Sequence, residues 1–266
     1  MTTDRHIAHA LAEMRGMSPL IHCITNYVTA GDTANMLLAA GASPIMADDP
    51  AESAEVTAAA NGLVLNLGTP SASRIQAMMN SGKAAVKKGI PVVFDPVGVG
   101  MTEFRRDAAR ELLSEVRPTI VRGNLSEISY LAGFDSGENG VDSSETRISP
   151  QEAARTAAEK LGCICAVTGA FDVISDGSRV VRIDNGTPLL RRVTGAGCMT
   201  SALCAAFAAV RGGFTGAAAG IALMDICGEL AAERSGGMGG FRSALFDFAG
   251  NVTTEILAER LKIDEN

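Results

Sequence analysis

Residues 63–100 read LVLNLGTPSASRIQAMMNSGKAAVKKGIPVVFDPVGVG, and the punctuation of this stretch carries the fold. The run Leu63-Val64-Leu65-Asn66-Leu67 is too continuously apolar for a strand with one wet face, and Ile90-Pro91-Val92-Val93-Phe94 repeats the pattern. Between them, Ser71 to Lys88 runs from a capping residue to Gly89, which marks one helix. A strand, a helix and a second strand in succession predict a parallel pair. Asp95-Pro96-Val97-Gly98-Val99-Gly100 then leaves the second strand at its carboxyl end.

The same grammar extends in both directions. Ser43-Pro44-Ile45-Met46, Thr119-Ile120-Val121 and Cys163-Ile164-Cys165-Ala166-Val167 read as further buried strands. Asp32 to Ala40 stops at Gly41, and Ser149-Pro150 opens a helix that reaches Leu161 and stops at Gly162. The expected fold class is α/β, with a mainly parallel central sheet flanked by helices on both faces and ligands bound beyond the carboxyl ends of its strands. Val173-Ile174-Ser175 and Val180-Val181-Arg182-Ile183, joined through Asp176-Gly177-Ser178, form an appended hairpin. From Gly197 onward the pattern is almost purely helical, and Gly133 to Ser149 reads as a surface loop. No linker divides the chain, so residues 1–266 are expected to form one domain.

Composition excludes several function classes. Thirty acidic and 23 basic side chains give a net charge of −7, which argues against a nucleic-acid partner. Apolar residues reach 47% and charged ones 20%, enough for a large core. Asp4, Arg5, Glu13 and Arg15 leave no apolar core for a signal peptide. The longest uncharged run, Val193 to Val210, opens with Thr194, Gly195 and Gly197, and reads as a turn plus a buried helix, with no membrane role. Six cysteines without a CxxC pair fit a reducing cytoplasm.

Thr194-Gly195-Ala196-Gly197-Cys198 is the strongest local signal. Small residues at a helix start let backbone N–H groups face a ligand, so Gly195, Ala196, Gly197 and Cys198 can form an anion hole; a bend chosen only for backbone freedom is the alternative. The helix start should also lower the Cys198 thiol pKa, although buried cysteines usually act as small hydrophobes. Asp95 sits where a metal-bound phosphate could rest, or serves turn geometry alone. Arg122 could grip a phosphate, whereas Asn124 and Glu127 have the spacing of a capping box as well as of an ion site. The three histidines, His6, His9 and His22, form no HExxH pair, and there is no GxSxG, Walker A or complete GxGxxG sequence.

Taken together, the motifs resemble the hydroxyethylthiazole kinase family of the ribokinase-like superfamily. The resemblance runs in order through Pro19–Val28, Gly41–Ala47, Asp95–Gly100, Arg122–Glu127, Val167-Thr168-Gly169 and Thr194–Cys198. It implies a ribokinase-like fold and Mg²⁺-dependent transfer of the ATP γ-phosphoryl group to the primary alcohol of 4-methyl-5-(2-hydroxyethyl)thiazole, in thiamine biosynthesis and thiazole salvage. It also implies a cytoplasmic homotrimer with thiazole sites between subunits. By the same resemblance Met46, Gly195 and Asn26 contact the thiazole alcohol, Arg122 and Thr168 contact ATP, and Asp95 and Glu127 serve the metal, Glu127 through water. Most of the superfamily carries Asp where this chain has Cys198, which separates it from the related hydroxymethylpyrimidine and pyridoxal kinases and leaves open how much base catalysis Cys198 performs. A catalytically idle metabolite-binding protein is the rival reading that the missing Asp motivates.

Overall fold

The computed structural model describes residues 3–134 and 148–265; residues 135–147 of the expected surface loop lie outside them. In chain order the elements are α1 (Thr3–Met17), β1 (Leu20–Ile24), α2 (Ala30–Ala40), β2 (Ser43–Ile45), α3 (Ser53–Ala59), β3 (Gly62–Asn66) and α4 (Ala72–Lys88). There follow β4 (Val92–Asp95), α5 (Glu103–Val116), β5 (Ile120–Asn124), α6 (Leu125–Ala132), α7 (Pro150–Leu161), β6 (Ile164–Thr168), β7 (Asp172–Ser175) and β8 (Val180–Ile183). A 3₁₀ turn (Pro188–Arg192) leads into α8 (Ala196–Arg211), α9 (Gly213–Arg234), α10 (Met238–Asn251), α11 (Thr254–Arg260) and β9 (Ile263–Glu265).

The nine strands among the described residues join one sheet in the order β2-β1-β3-β4-β5-β6-β7-β8-β9. Pairing is parallel from β2 to β6 and antiparallel from β6 to β9. The expected helices end as their sequences dictate: Gly41, Gly89 and Gly162 take φ values of 104°, 77° and 65°, while Ser71 and Ser149 accept N-cap bonds from Arg74 N and Glu152 N. Asp176 Oδ1 accepts from the Ser178 and Arg179 N–H groups in the hairpin turn. After Gly197 the chain is almost purely helical, as expected; the exception is β9, whose Ile263 pairs with Ile183 and gives the hairpin a third strand. Only three residues long, β9 offers too short a run for alternation to announce it.

Successive strand residues serve opposite cores. Val64, Val93, Ile120 and Ala166 face a cluster with α1, α2, α8, α9 and α10, whereas Leu65, Phe94, Val121 and Cys165 face one with α4, α5, α6 and α7. Phe94 and Phe207 are fully buried, each contributing about 1.5–3 kcal/mol by leaving water. The helix α9 is long and apolar enough to cross a membrane, but 78% of its apolar window is buried in this fold. It packs directly on α8: a Cβ at Gly216 would stand 2.5 Å from Ala208 Cα, and one at Gly220 2.5 Å from Cys204 N. Backbone therefore meets backbone along this seam.

Candidate active site

Five strand ends and one helix start converge at a single edge of the sheet. Asn26 lies two residues beyond β1, Asn66 closes β3, Asp95 closes β4, Arg122 sits within the last residues of β5, and Thr168 closes β6. Parallel strands present their carboxyl ends together, so residues distant in sequence meet there. Opposite them, Gly195 caps α8 at φ 85°, a left-handed value that favours glycine, and a Cβ there would stand 2.4 Å from Thr29 Cγ2.

No side chain among the described residues caps α8. Of the four residues expected to form the anion hole, Ala196 turns its N–H back to Val193 O at 3.2 Å. The N–H groups of Gly197 and Cys198 keep no side-chain acceptor among the described residues, and the positive end of the helix lies with them. The Arg122 guanidinium packs against this turn, because a Cβ on Gly197 would come 2.6 Å from its Nη1. Its Nη2 bonds to Thr168 Oγ1, its Nη1 lies 3.9 Å from Asp95 Oδ2, and its Nε is buried without an acceptor among the described residues.

Asp95 is 1% exposed and sits in a prepared socket. Asn66 Nδ2 and Ser201 Oγ donate to its Oδ2 at 2.9 and 2.8 Å, so these bonds and the Arg122 contact all fall on one oxygen. Burial pushes its carboxyl up to about 6; Arg122 opposes that rise and the Glu127 charge adds to it. Both bonds of the expected capping box are present, since Asn124 Oδ1 accepts from Glu127 N and Glu127 Oε2 from Asn124 N. Glu127 Oε1 also accepts from Gly98 N at 2.9 Å, which ties the glycine loop after Asp95 to the start of α6.

Cys198 Sγ accepts from Asn26 Nδ2 and Asn66 Nδ2, each at 3.3 Å. Its thiol pKa is raised, first by burial and then by the Asp95 charge, which corrects the expectation that the helix start lowers it. Asn26 Oδ1 in turn accepts from the Thr29 N–H and hydroxyl. Met46 stands apart from this network, 37% exposed just beyond β2 at the sheet edge.

Beside Arg122 opens a cavity of about 310 Å³. Arg122, Thr168, Ala196 and Gly197 line it together with Leu190, Ile221, Met224, Asp172 and Asp225. No group of three or more His, Cys, Asp or Glu side chains poised for a metal occurs among the described residues. Asn66, Ser201, Asp172 and Asp225 escape the sequence reading; the polar residue inside Leu63–Leu67 and the lone charge inside the apolar stretch 212–228 are the signals that mark Asn66 and Asp225.

A model of the Hydroxyethylthiazole kinase family matches residues 11–255. The chain is 47% identical over 267 residues to a hydroxyethylthiazole kinase from Ruminiclostridium cellulolyticum, covering 98% of each. It superposes with a TM-score of 0.90 on the structure of a hydroxyethylthiazole kinase protein from Pyrococcus horikoshii OT3, at 36% identity and with 98% of each chain covered. A ribokinase-like superfamily protein from Enterococcus faecalis V583 shares the fold, with a TM-score of 0.65 at 12% identity over 93% of this chain and 95% of that one.

Proposed function

The chain belongs to the hydroxyethylthiazole kinase family, and from that premise we propose how its residues divide the work. The enzyme is a hydroxyethylthiazole kinase, a phosphotransferase that uses ATP. The observation that carries the nucleotide placement is the buried Arg122 guanidinium, whose Nε has no acceptor among the described residues while its Nη2 bonds to Thr168. An anionic phosphate is the group that completes such a donor set.

The acidic residues fit Mg²⁺, which takes one or two carboxylates along with phosphates and keeps several waters. Asp95 would hold it directly, since its contacts leave Oδ1 to a ligand, and Glu127, whose two oxygens already accept backbone N–H groups, would hold it through water. When bound, the ion would neutralise charge on the phosphates. The Gly197 and Cys198 N–H groups stabilise the transferring phosphoryl group, with Gly195 supplying the turn that aims them. Asn26, Gly195 and Met46 bind the thiazole alcohol. Cys198, its thiol held protonated by burial, assists deprotonation weakly.

Residues 1–266 act as one catalytic unit, supported by the single sheet that joins every described strand. The family resemblance supports a homotrimer with thiazole sites between subunits, and Tyr27 and Val28, 74% and 59% exposed beside Asn26, offer apolar surface there to a neighbouring subunit. The setting is the cytoplasm, and the pathway thiamine biosynthesis and thiazole salvage. Phosphorus NMR of the protein with ATP, Mg²⁺ and hydroxyethylthiazole should show a phosphomonoester, with none in parallel tubes of hydroxymethylpyrimidine or pyridoxal. Product in a parallel tube alone would move the acceptor, and silence in every tube would favour a binding protein.

A further inference from the structure

The cavity beside Arg122 contains an acidic pair that phosphoryl transfer leaves unused. Asp172 opens β7 and Asp225 lies in α9; they are 4% and 8% exposed, and both line the cavity. Gly169 N–H donates to Asp172 Oδ1 at 2.8 Å. Asp225 Oδ2 is buried with no hydrogen-bond donor among the described residues, and the Asp172 carboxyl is the one acid within hydrogen-bonding reach of Asp225 there. Gly186 walls the other carboxyl oxygen, since a Cβ there would stand 3.2 Å from Asp225 Oδ1. Buried polar atoms are nearly always paired, so an orphan facing a cavity marks the place of an absent partner.

The chemistry of that partner follows from its surroundings. Phosphate oxygens are negative and are repelled by an acidic pair that keeps one charge, so the triphosphate belongs on the Arg122 side. Arg122 and both acids line the same cavity, so the acids stand one short step from phosphates held at Arg122. Along a nucleotide, the next polar group after the phosphates is the ribose diol, and Leu190, Ile221 and Met224 offer apolar surface for a base beyond it. The two acids also suit a diol. Burial raises both, Asp225 further because Asp172 is its neighbour, so one proton serves the pair and leaves a donor beside an acceptor. Hydroxyl groups both donate and accept.

We infer that Asp225, seated against Asp172, binds the ribose hydroxyls of the nucleotide and makes the enzyme selective for ribonucleotides. This rests on the nucleotide placement proposed above. The test compares kcat/KM for ATP, 2′-deoxyATP and 3′-deoxyATP in the wild type, Asp225→Ala and Asp225→Asn. The wild type should use at least one deoxy analogue on the order of 10- to 100-fold less well than ATP, the range for a lost hydrogen bond to a charged group. In Asp225→Ala, ATP should fall to the level of that analogue, and Asp225→Asn, which keeps an acceptor, should retain part of the difference. Both variants should remain folded by circular dichroism, so that the comparison reads nucleotide selectivity and not loss of the fold.

Equal use of ATP and both deoxy analogues by the wild type would overturn the assignment. So would an equal loss on all three nucleotides in Asp225→Ala, or a change confined to the ATP-over-GTP preference, which would move the contact to the base. An Arg122→Ala variant separates the layers. If it raises the KM for ATP while the ribose proves irrelevant, only this inference fails; if it leaves that KM unchanged, the nucleotide placement fails and takes the inference with it.

Discussion

Asp95 and Asp225 are buried acids on either side of one helix start, and their surroundings differ. Around Asp95, Asn66 and Ser201 donate to one oxygen and Arg122 stands 3.9 Å away. Around Asp225, the strongest charge influence is another acid, Asp172, and Oδ2 has no donor among the described residues. A carboxylate that must be ionised in the resting protein is given its partners by the fold, because a buried charge without them is costly. A carboxyl group left to meet a ligand has its partner withheld. The contrast separates groups that hold the site together from groups that wait for what enters it.

The largest expected effect breaks the Asp95 side of this contrast. Arg122→Ala removes the cation between Asp95 and the phosphates, and kcat/KM for ATP should fall by about 10²- to 10³-fold, carried mainly by a raised KM in steady-state assays. Next in size is a pH effect. Asp95 moves from its ordinary 3.8 up to about 6, so the folded state binds that proton more tightly. Its stabilising contribution is then complete below about pH 4 and is lost as pH rises through 6, a change of about 3 kcal/mol. Urea unfolding of the metal-free protein should show wild-type stability falling across that window, and Asp95→Asn should lose that part of the slope.

Smaller effects sharpen the contrast. Cys198→Ala should lower kcat by less than the roughly 10²-fold that an effective general base supplies, because burial keeps the thiol protonated. An unchanged rate per site would leave the turn acting through its backbone alone. Asn124→Ala should cost about 1 kcal/mol in thermal unfolding, as the loss of a helix cap does, with activity less affected than by Arg122→Ala.

The sheet and the helix stops were legible because each rests on local chemistry. Leu63–Leu67 is apolar on both faces, and Gly41, Gly89 and Gly162 end helices in a conformation that glycine adopts freely. The strand β1 carries His22 in its middle, which hides it from a reading based on apolar runs. Burial there is possible because the ring bonds to Thr57 Oγ1 and Ala47 O. Within the site, Gly195, Cys198, Asp95 and Arg122 announced themselves through glycine turns and strand exits. Ser201 did not, since it lies 106 residues from the carboxylate it serves and looks like any small helix residue. Asp225 was marked only by being charged where its neighbours are not, and a pair with Asp172 is a fact of folding that no spacing encodes.

The glycine seam between α8 and α9 has a mechanical consequence. Gly197 and Cys198 ride on the first of these helices and Asp225 on the second, so the span from phosphate cradle to acidic pair is set where Gly216 and Gly220 touch the backbone of Ala208 and Cys204. Such a contact has no side-chain rotamers to exchange and little void to squeeze, and close-packed interiors compress very little. Under hydrostatic pressure the hairpin and the exposed loops should yield first, and that span should keep its length until the protein unfolds.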